Sequence, residues 1–284
     1  MLLETDLVPY SVSMPVGERV LVLAPHPDDE TLGMGGTLRL LTESKKHVKV
    51  VFLTSGDKAD PSNKLSQIIH NENPPIPPSF KSLHPPFTKG GRGGIIGGEG
   101  GVLNESHITE YALLREKEAV KALRILGVSD YEFLRFPDRE LLRKKDRLEE
   151  AVRRIVDDFG PDVIYSPSII ELNPDHRAAA ELSISINTRT SSPGCIFYEI
   201  TTPIRPNILV DITKVFKYKK NALKCHRSQL KITDYLRLME GFNAYRSLTL
   251  GRGIKFAEAF WQVGSIKSKE DMKMWLGYEM PIRS

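Results

Sequence analysis

At 284 residues, 40% hydrophobic and 27% charged, the chain is long enough to bury a substantial core as one large domain or two small ones. A formal net charge of +4, with Lys and Arg scattered among acids, leaves no electrostatic footprint for nucleic acid. Two cysteines, Cys195 and Cys225, without CxxC spacing, exclude a disulfide framework and a cysteine zinc site, and they read as reduced, mostly buried thiols. The first residues lack a basic region followed by an apolar one, and no run approaches the ~18–20 apolar residues of a membrane span. A cytoplasmic protein with no membrane span is therefore expected.

Residues 1–18 read as an irregular lead-in. Val20–Ala24 is an uninterrupted apolar strand, as suits a parallel strand covered on both faces. Thr37–Lys46 follows as a helix and Val48–Thr54 as a second strand, which together make a βαβ unit. From about 60 to 106 the rhythm breaks. Asn73-Pro74-Pro75-Ile76-Pro77-Pro78 and Gly90-Gly91-Arg92-Gly93-Gly94 can continue neither helix nor strand, and the tract is too long for an ordinary connection. Phe87–Gly94 resembles translated repeat elements inserted in some bacterial genes, and reads as a passenger or flexible lid. A phosphate-binding loop would need a Lys-Ser/Thr ending that is missing.

Tyr111–Leu126 is helical, with Gly127 as its stop signal. Tyr131–Leu134, running to Phe136-Pro137-Asp138, is a third strand. Asp146–Phe159 is an amphipathic helix closed by Gly160-Pro161, and Asp162–Ser166 a fourth strand. Ala178–Ile186 is the next helix, Cys195–Ile200 and Ile208–Asp211 two more strands, and Lys214–Tyr245 mostly helical. Lys217, Lys219, Lys220 and Lys224 read as a solvated helix face, with an anionic substrate or surface as the alternative. Strand and helix in alternation predict one α/β domain: a Rossmann-like, mainly parallel sheet flanked by helices, with a Pro/Gly-rich insertion.

Two polar clusters lie just beyond strand ends, where open parallel sheets bind ligands. Pro25-His26-Pro27-Asp28-Asp29-Glu30 follows the first strand and Glu171-Leu172-Asn173-Pro174-Asp175-His176-Arg177 the fourth, with Asp138 after the third as a neighbour. A packed core has no use for four ionisable groups within five residues, whereas a metal or an acid–base reaction does. Mixed His and carboxylate ligands with a bound water make up a catalytic zinc site. Two successive Asp residues allow one to ligate while the other faces the water. Gly33, Gly35 and Gly36 do not complete a dinucleotide fingerprint, because Leu38 stands where its third glycine would fall, so they read as sites of close backbone approach.

Ala24-Pro25-His26-Pro27-Asp28-Asp29-Glu30 closely resembles the A-H-P-D-D-E signature of the LmbE-like/PIG-L family of zinc-dependent sugar N-deacetylases, with Pro25 extra. Asn173-Pro174-Asp175-His176-Arg177 is similar to its second motif, H-P-D-H-R. Leu114-Arg115-Glu116-Lys117-Glu118, Phe136-Pro137-Asp138 and His226-Arg227-Ser228-Gln229 follow in the family's order, over about residues 19–262. The resemblance implies Zn2+, or another divalent cation, held by His26, Asp29 and His176. It implies Asp28 as the general base, Asp175 behind the ligands, and Arg177 near the ligand or in a supporting ion pair. The family's second motif often begins with histidine, but here that position is Asn173, which can stabilise an oxyanion yet cannot deliver a proton. Asp28, or alternatively His226, would then return the proton to the amine. Glu30 would bond backbone amides or touch the metal.

The expected activity is hydrolysis of an N-acetyl group from a small-molecule amino sugar or sugar conjugate. An amidase acting on a larger acyl or thiol conjugate, and a catalytically weak sugar- or metal-binding module, are the alternatives. Homo-oligomerisation is left open.

Overall fold

The structure, a computed structural model, describes residues 11–59, 108–189 and 193–263. The insertion expected at about 60–106, with His70, His84 and the adjoining His107, lies outside the described residues.

The central strands are largely apolar because their alternate side chains serve two different cores. In β2 (Arg19–Ala24), Val20, Val22 and Ala24 enter one apolar cluster while Leu21 and Leu23 enter another. β3 (His47–Thr54) splits likewise, Val48, Val50 and Phe52 against Val51 and Leu53, and β5 (Val163–Pro167) sends Ile164 opposite to Val163 and Tyr165. A strand buried on both faces cannot alternate apolar with polar. One face is covered by α1 (Asp29–Glu43), α2 (Glu110–Leu126), α5 (Phe216–Leu223) and α7 (Tyr235–Arg246), through residues such as Leu38, Leu123, Leu223 and Met239. The other is covered by α3 (Lys145–Phe159) and α4 (Pro174–Arg189), through Leu148, Val152, Ala179 and Leu182.

With β1 (Ser11–Val12), β4 (Asp130–Phe136), β6 (Gly194–Tyr198), β7 (Ile208–Asp211) and β8 (Ala257–Gln262), the described strands form one sheet of order β1-β7-β8-β6-β5-β2-β3-β4. Only β8 runs antiparallel to its neighbours, β6 and β7. The chain runs outward from β2 to β3 and β4, then returns to lay β5 on the other flank of β2. The strand order therefore reverses between β2 and β5, and the crevice outside their carboxyl ends is where such sheets bind ligands.

The structure corrects several boundaries. The expected lead-in contains β1, which pairs in parallel with β7. The helix expected from Thr37 begins at Asp29, and the one expected from Ala178 begins at Pro174, so both polar clusters run into first helical turns instead of lying wholly in loops. β8 wedges between β6 and β7, a non-local pairing with no local signal.

The lysine face is also corrected. Lys219 is fully buried, and its Nζ donates to Glu258 of β8 at 2.6 Å. α1 is interrupted at Met34 (φ −143°, ψ 23°), which frees the N–H groups of Gly36 and Thr37, and Glu258 accepts both at 2.8 and 2.7 Å. Burying that carboxylate is tolerable because two amides and an ammonium surround it. The glycine reading holds: a Cβ on Gly33 would lie 2.2 Å from the Tyr198 ring, and one on Gly36 would lie 2.6 Å from Ile212.

Candidate metal centre and active site

Three strand ends supply the site. After β2, Pro25–Asp28 form a short turn, and Asp29 and Glu30 open α1. After β5, Asn173 caps α4 by accepting the Asp175 N–H on its Oδ1 at 2.9 Å, which places Asp175 and His176 in the first turn. After β4 comes Asp138. His26, Asp28, Asp29, Asp138, Asp175 and His176 are all buried.

The two clusters meet at His26. Its Nδ1 lies 3.0 Å from Asp29 Oδ2 and 3.3 Å from His176 Nε2, and the latter lies 3.3 Å from Asp29 Oδ2. These three donor atoms all fall within 4.8 Å of one another. Each imidazole is backed by carboxylate on its far nitrogen. His26 Nε2 is 3.2 Å from Asp138 Oδ1 and 3.5 Å from Asp175 Oδ2, and His176 Nδ1 is 3.6 Å from Glu171 Oε2. Such partners set the tautomer and orientation of a ligating histidine. They are themselves fixed: Lys58 N–H donates to Asp138 at 3.1 Å, Arg139 and Leu141 N–H to Asp175, and Ile200, Thr201 and Thr202 N–H to Glu171. His26, Asp138 and Asp175 form a second grouping of donor atoms that shares the first histidine.

Asp28 stands apart from that convergence. Its Oδ1 is 3.2 Å from Arg115 Nη2, and Arg115 also donates to the Pro27 and Gly56 carbonyls at 2.8 Å each. Asp28 sits at φ 136°, outside the regions open to residues with a Cβ.

Burial pushes the Asp28 carboxyl up to about 7, against the opposing pull of Arg115. Asp29 differs: burial also opposes its charge, but the two histidines outweigh it and hold the carboxyl well below the usual range. Burial works against protonating His176 and His26. The carboxylates reverse this, Asp29 first for His176, which rises to about 9, and Asp138 first for His26, which stands well above its ordinary value. This group of candidate donors is thus rich in protons that a bound cation would displace.

Of the remaining expected residues, His226 is buried beside Glu30, with Nε2 3.9 Å from Glu30 Oε1. Burial, then Arg115, depress it to about 3, so it is a neutral imidazole. Glu30 takes the backbone-bonding option, its Oε2 accepting the Asp28 N–H at 3.2 Å. Asn173 is half-buried with its oxygen committed to the cap, and Arg177 is exposed. Glu171 and Arg115 carried no separate assignment in the sequence. Both lay inside quoted motifs, but no spacing rule shows which carboxylate will stand behind His176 or which cation will reach Asp28.

A model of the PIG-L family, described as GlcNAc-PI de-N-acetylase, matches residues 21–187. The chain is 26% identical over 260 residues to a diacetylchitobiose deacetylase from Thermococcus kodakarensis, covering 85% of this chain and 81% of that one. It is 26% identical over 223 residues to a probable N-acetyl-alpha-D-glucosaminyl L-malate deacetylase 2 of Bacillus subtilis, covering 75% and 83%. The fold matches that of the N,N'-diacetylchitobiose deacetylase from Pyrococcus horikoshii, at TM-score 0.65 and 21% identity, over 98% of this chain and 93% of that one. Among the described residues no helix is long and apolar enough to cross a membrane. With its two motifs joined in one buried cluster at the β2/β5 crevice, the chain belongs to the PIG-L family of metal-dependent N-deacetylases.

Proposed function

We propose that this protein is a zinc-dependent hydrolase that removes an N-acetyl group from a small-molecule amino sugar or sugar conjugate. In this reading His26, Asp29 and His176 hold the cation and Asp28 is the general base. The observation that carries it is the convergence of His26 Nδ1, Asp29 Oδ2 and His176 Nε2, with carboxylates behind both imidazoles. Two imidazoles and one carboxylate, with a position left for water, are the donor set of a catalytic zinc site. The cation, when bound, supplies a water of lowered pKa and polarises the scissile carbonyl. Asp138 and Asp175 suit the supporting role, because His26 can offer them its remaining N–H while their other contacts are backbone amides.

Three observations support Asp28 as the base. It neighbours the ligand Asp29, its carboxyl is tuned to about 7, and Arg115 fixes its orientation. Protonated in the first step, it can hand the proton to the departing amine. Asn173 Nδ2 remains a donor for an oxyanion but has no proton to transfer. A histidine held neutral down to about pH 3 is not a proton donor near neutrality, so proton return is assigned to Asp28 and not to His226.

The test is release of free amine from a panel of N-acetylated amino sugars, with metal, with chelator, and with Asp28→Asn. Chelation should abolish turnover and zinc should restore it. Asp28→Asn should lose about 10²–10⁴-fold in kcat at near-normal zinc content. Chelator-insensitive turnover, or an active Asp28→Asn, overturns the reading. Tight sugar binding without amine release would favour the binding module.

A further inference from the structure

Two buried ionisable side chains beside the site have no part in the reaction as described: Glu30 and His226. Glu30, in the first turn of α1, is fully buried. Its Oε1 accepts the Thr31 hydroxyl at 2.6 Å, and its Oε2 accepts the backbone N–H of Asp28 at 3.2 Å. That amide belongs to the residue at φ 136°, ψ −25°, a strained conformation that persists only where its surroundings hold it.

His226 precedes α6 (Arg227–Leu230) and is 1% exposed. Its Nε2 faces Glu30 Oε1 at 3.9 Å, and among the described residues neither ring nitrogen has a hydrogen-bond partner. A buried imidazole without a partner is costly enough to need a reason. The segment that carries it is firmly anchored to α2. Ser228 donates its N–H and its hydroxyl to Glu118 at 3.0 and 2.6 Å, and Gln229 donates to the Tyr111 hydroxyl at 2.8 Å. α2 is also the helix whose Arg115 holds the Asp28 carboxylate and the Pro27 carbonyl. One helix therefore braces Asp28 twice: directly through Arg115, and through the docked α6 segment that sets His226 against Glu30.

We propose that Glu30 and His226 are positioning residues for Asp28: Glu30 holds the amide of its strained backbone, and His226 backs Glu30. The proposal rests on Asp28 being the general base. Without the pair the Asp28 backbone relaxes toward an ordinary conformation and carries the carboxylate away from the ligand cluster. A misplacement of about 1 Å costs on the order of 100-fold in rate.

Expected for Glu30→Ala is therefore a kcat loss of about 100-fold, with KM within about twofold and zinc content unchanged. Glu30→Gln keeps an acceptor for the amide and should recover most of the rate. His226→Ala should lose kcat without a KM change, and His226→Asn, which keeps a polar group facing Glu30, should regain part of it. A readout independent of turnover is the 15N-resolved amide of Asp28 in the metal-free protein. It should be protected from exchange in wild type and Glu30→Gln, and should lose protection in Glu30→Ala. If Glu30→Ala does not fold, the two His226 variants carry the test. Wild-type kcat in folded, zinc-loaded Glu30→Ala or His226→Ala, or an Asp28 amide indifferent to Glu30, overturns the proposal. An Asp28→Asn enzyme that stays active would sink the base assignment instead, so the two failures are distinguishable.

Discussion

Removing the carboxylate behind His26 should weaken metal binding, and the structure sets how much. Asp138 Oδ1 is 3.2 Å from His26 Nε2, but Asp175 Oδ2 stands at 3.5 Å from the same atom. Loss of an outer partner costs about 10–100-fold in metal affinity. With Asp175 in reserve, Asp138→Ala belongs at the low end, about 10-fold, or ~1.4 kcal/mol. Asp175→Ala should weaken binding similarly but also destabilise the metal-free fold by about 1–3 kcal/mol, because Arg139 and Leu141 lose their acceptor. The double variant leaves the Nε2–H buried and unpaired, so its loss should exceed the product of the singles by a coupling of about 0.5–3 kcal/mol. Zinc competition against a chromophoric chelator at fixed pH measures all three, with denaturant unfolding of the metal-free proteins as control. Wild-type affinity in Asp138→Ala, together with a double variant equal to the product of the singles, would refute the reasoning.

Lys219→Met should cost about 3 kcal/mol in urea unfolding, since it leaves the buried Glu258 carboxylate with two amide donors but no counter-charge; a change under about 1 kcal/mol would mean the pair is not a structural unit. Gly33→Ala drives a methyl into the Tyr198 ring, which is locked by its hydroxyl on the Leu23 carbonyl; a loss of about 2 kcal/mol, or roughly 4–8 °C in melting temperature, is expected by calorimetry. Zinc affinity should rise with pH. His176 titrates at about 9 in the metal-free protein, so from pH 6 to 8 each imidazolium displaced adds about tenfold per pH unit, and calorimetry in buffers of different ionisation enthalpy should count the released protons. A pH-independent affinity over that range would contradict the protonated ligand set.

Much of this molecule was legible in the chain. β2 announces itself as an unbroken apolar run, and β3 and β5 as mostly apolar ones, because parallel strands are covered on both faces; α2 does so because Gly127 ends it, in a left-handed turn. The candidate ligands were nameable for a different reason: His26, Asp29 and His176 sit in two short strings that resemble a family's motifs, whereas donor chemistry alone leaves Asp28, Glu30 and Asp175 open beside them. What stayed hidden was pairing across distance. Lys219 sits among exposed lysines and looks solvated until Glu258, 39 residues on, arrives on an antiparallel strand. Glu171 opens the second polar cluster with nothing to assign it a role of its own, and Arg115 is one charge among several in its helix.

The sequence by itself therefore determined the alternation of strand and helix from β2 to β7, the parallel character of the core and the residue types at the candidate metal centre, because each follows from local periodicity or donor chemistry. Only the tertiary structure decided which groups stand behind those residues: Asp138 and Asp175 on one imidazole, Glu171 on the other, Arg115 on Asp28, Glu30 and His226 beneath it. Those six partners come from five separate segments. Their convergence follows from the strand order reversing between β2 and β5, a property of how the sheet is wound and not of any stretch of chain.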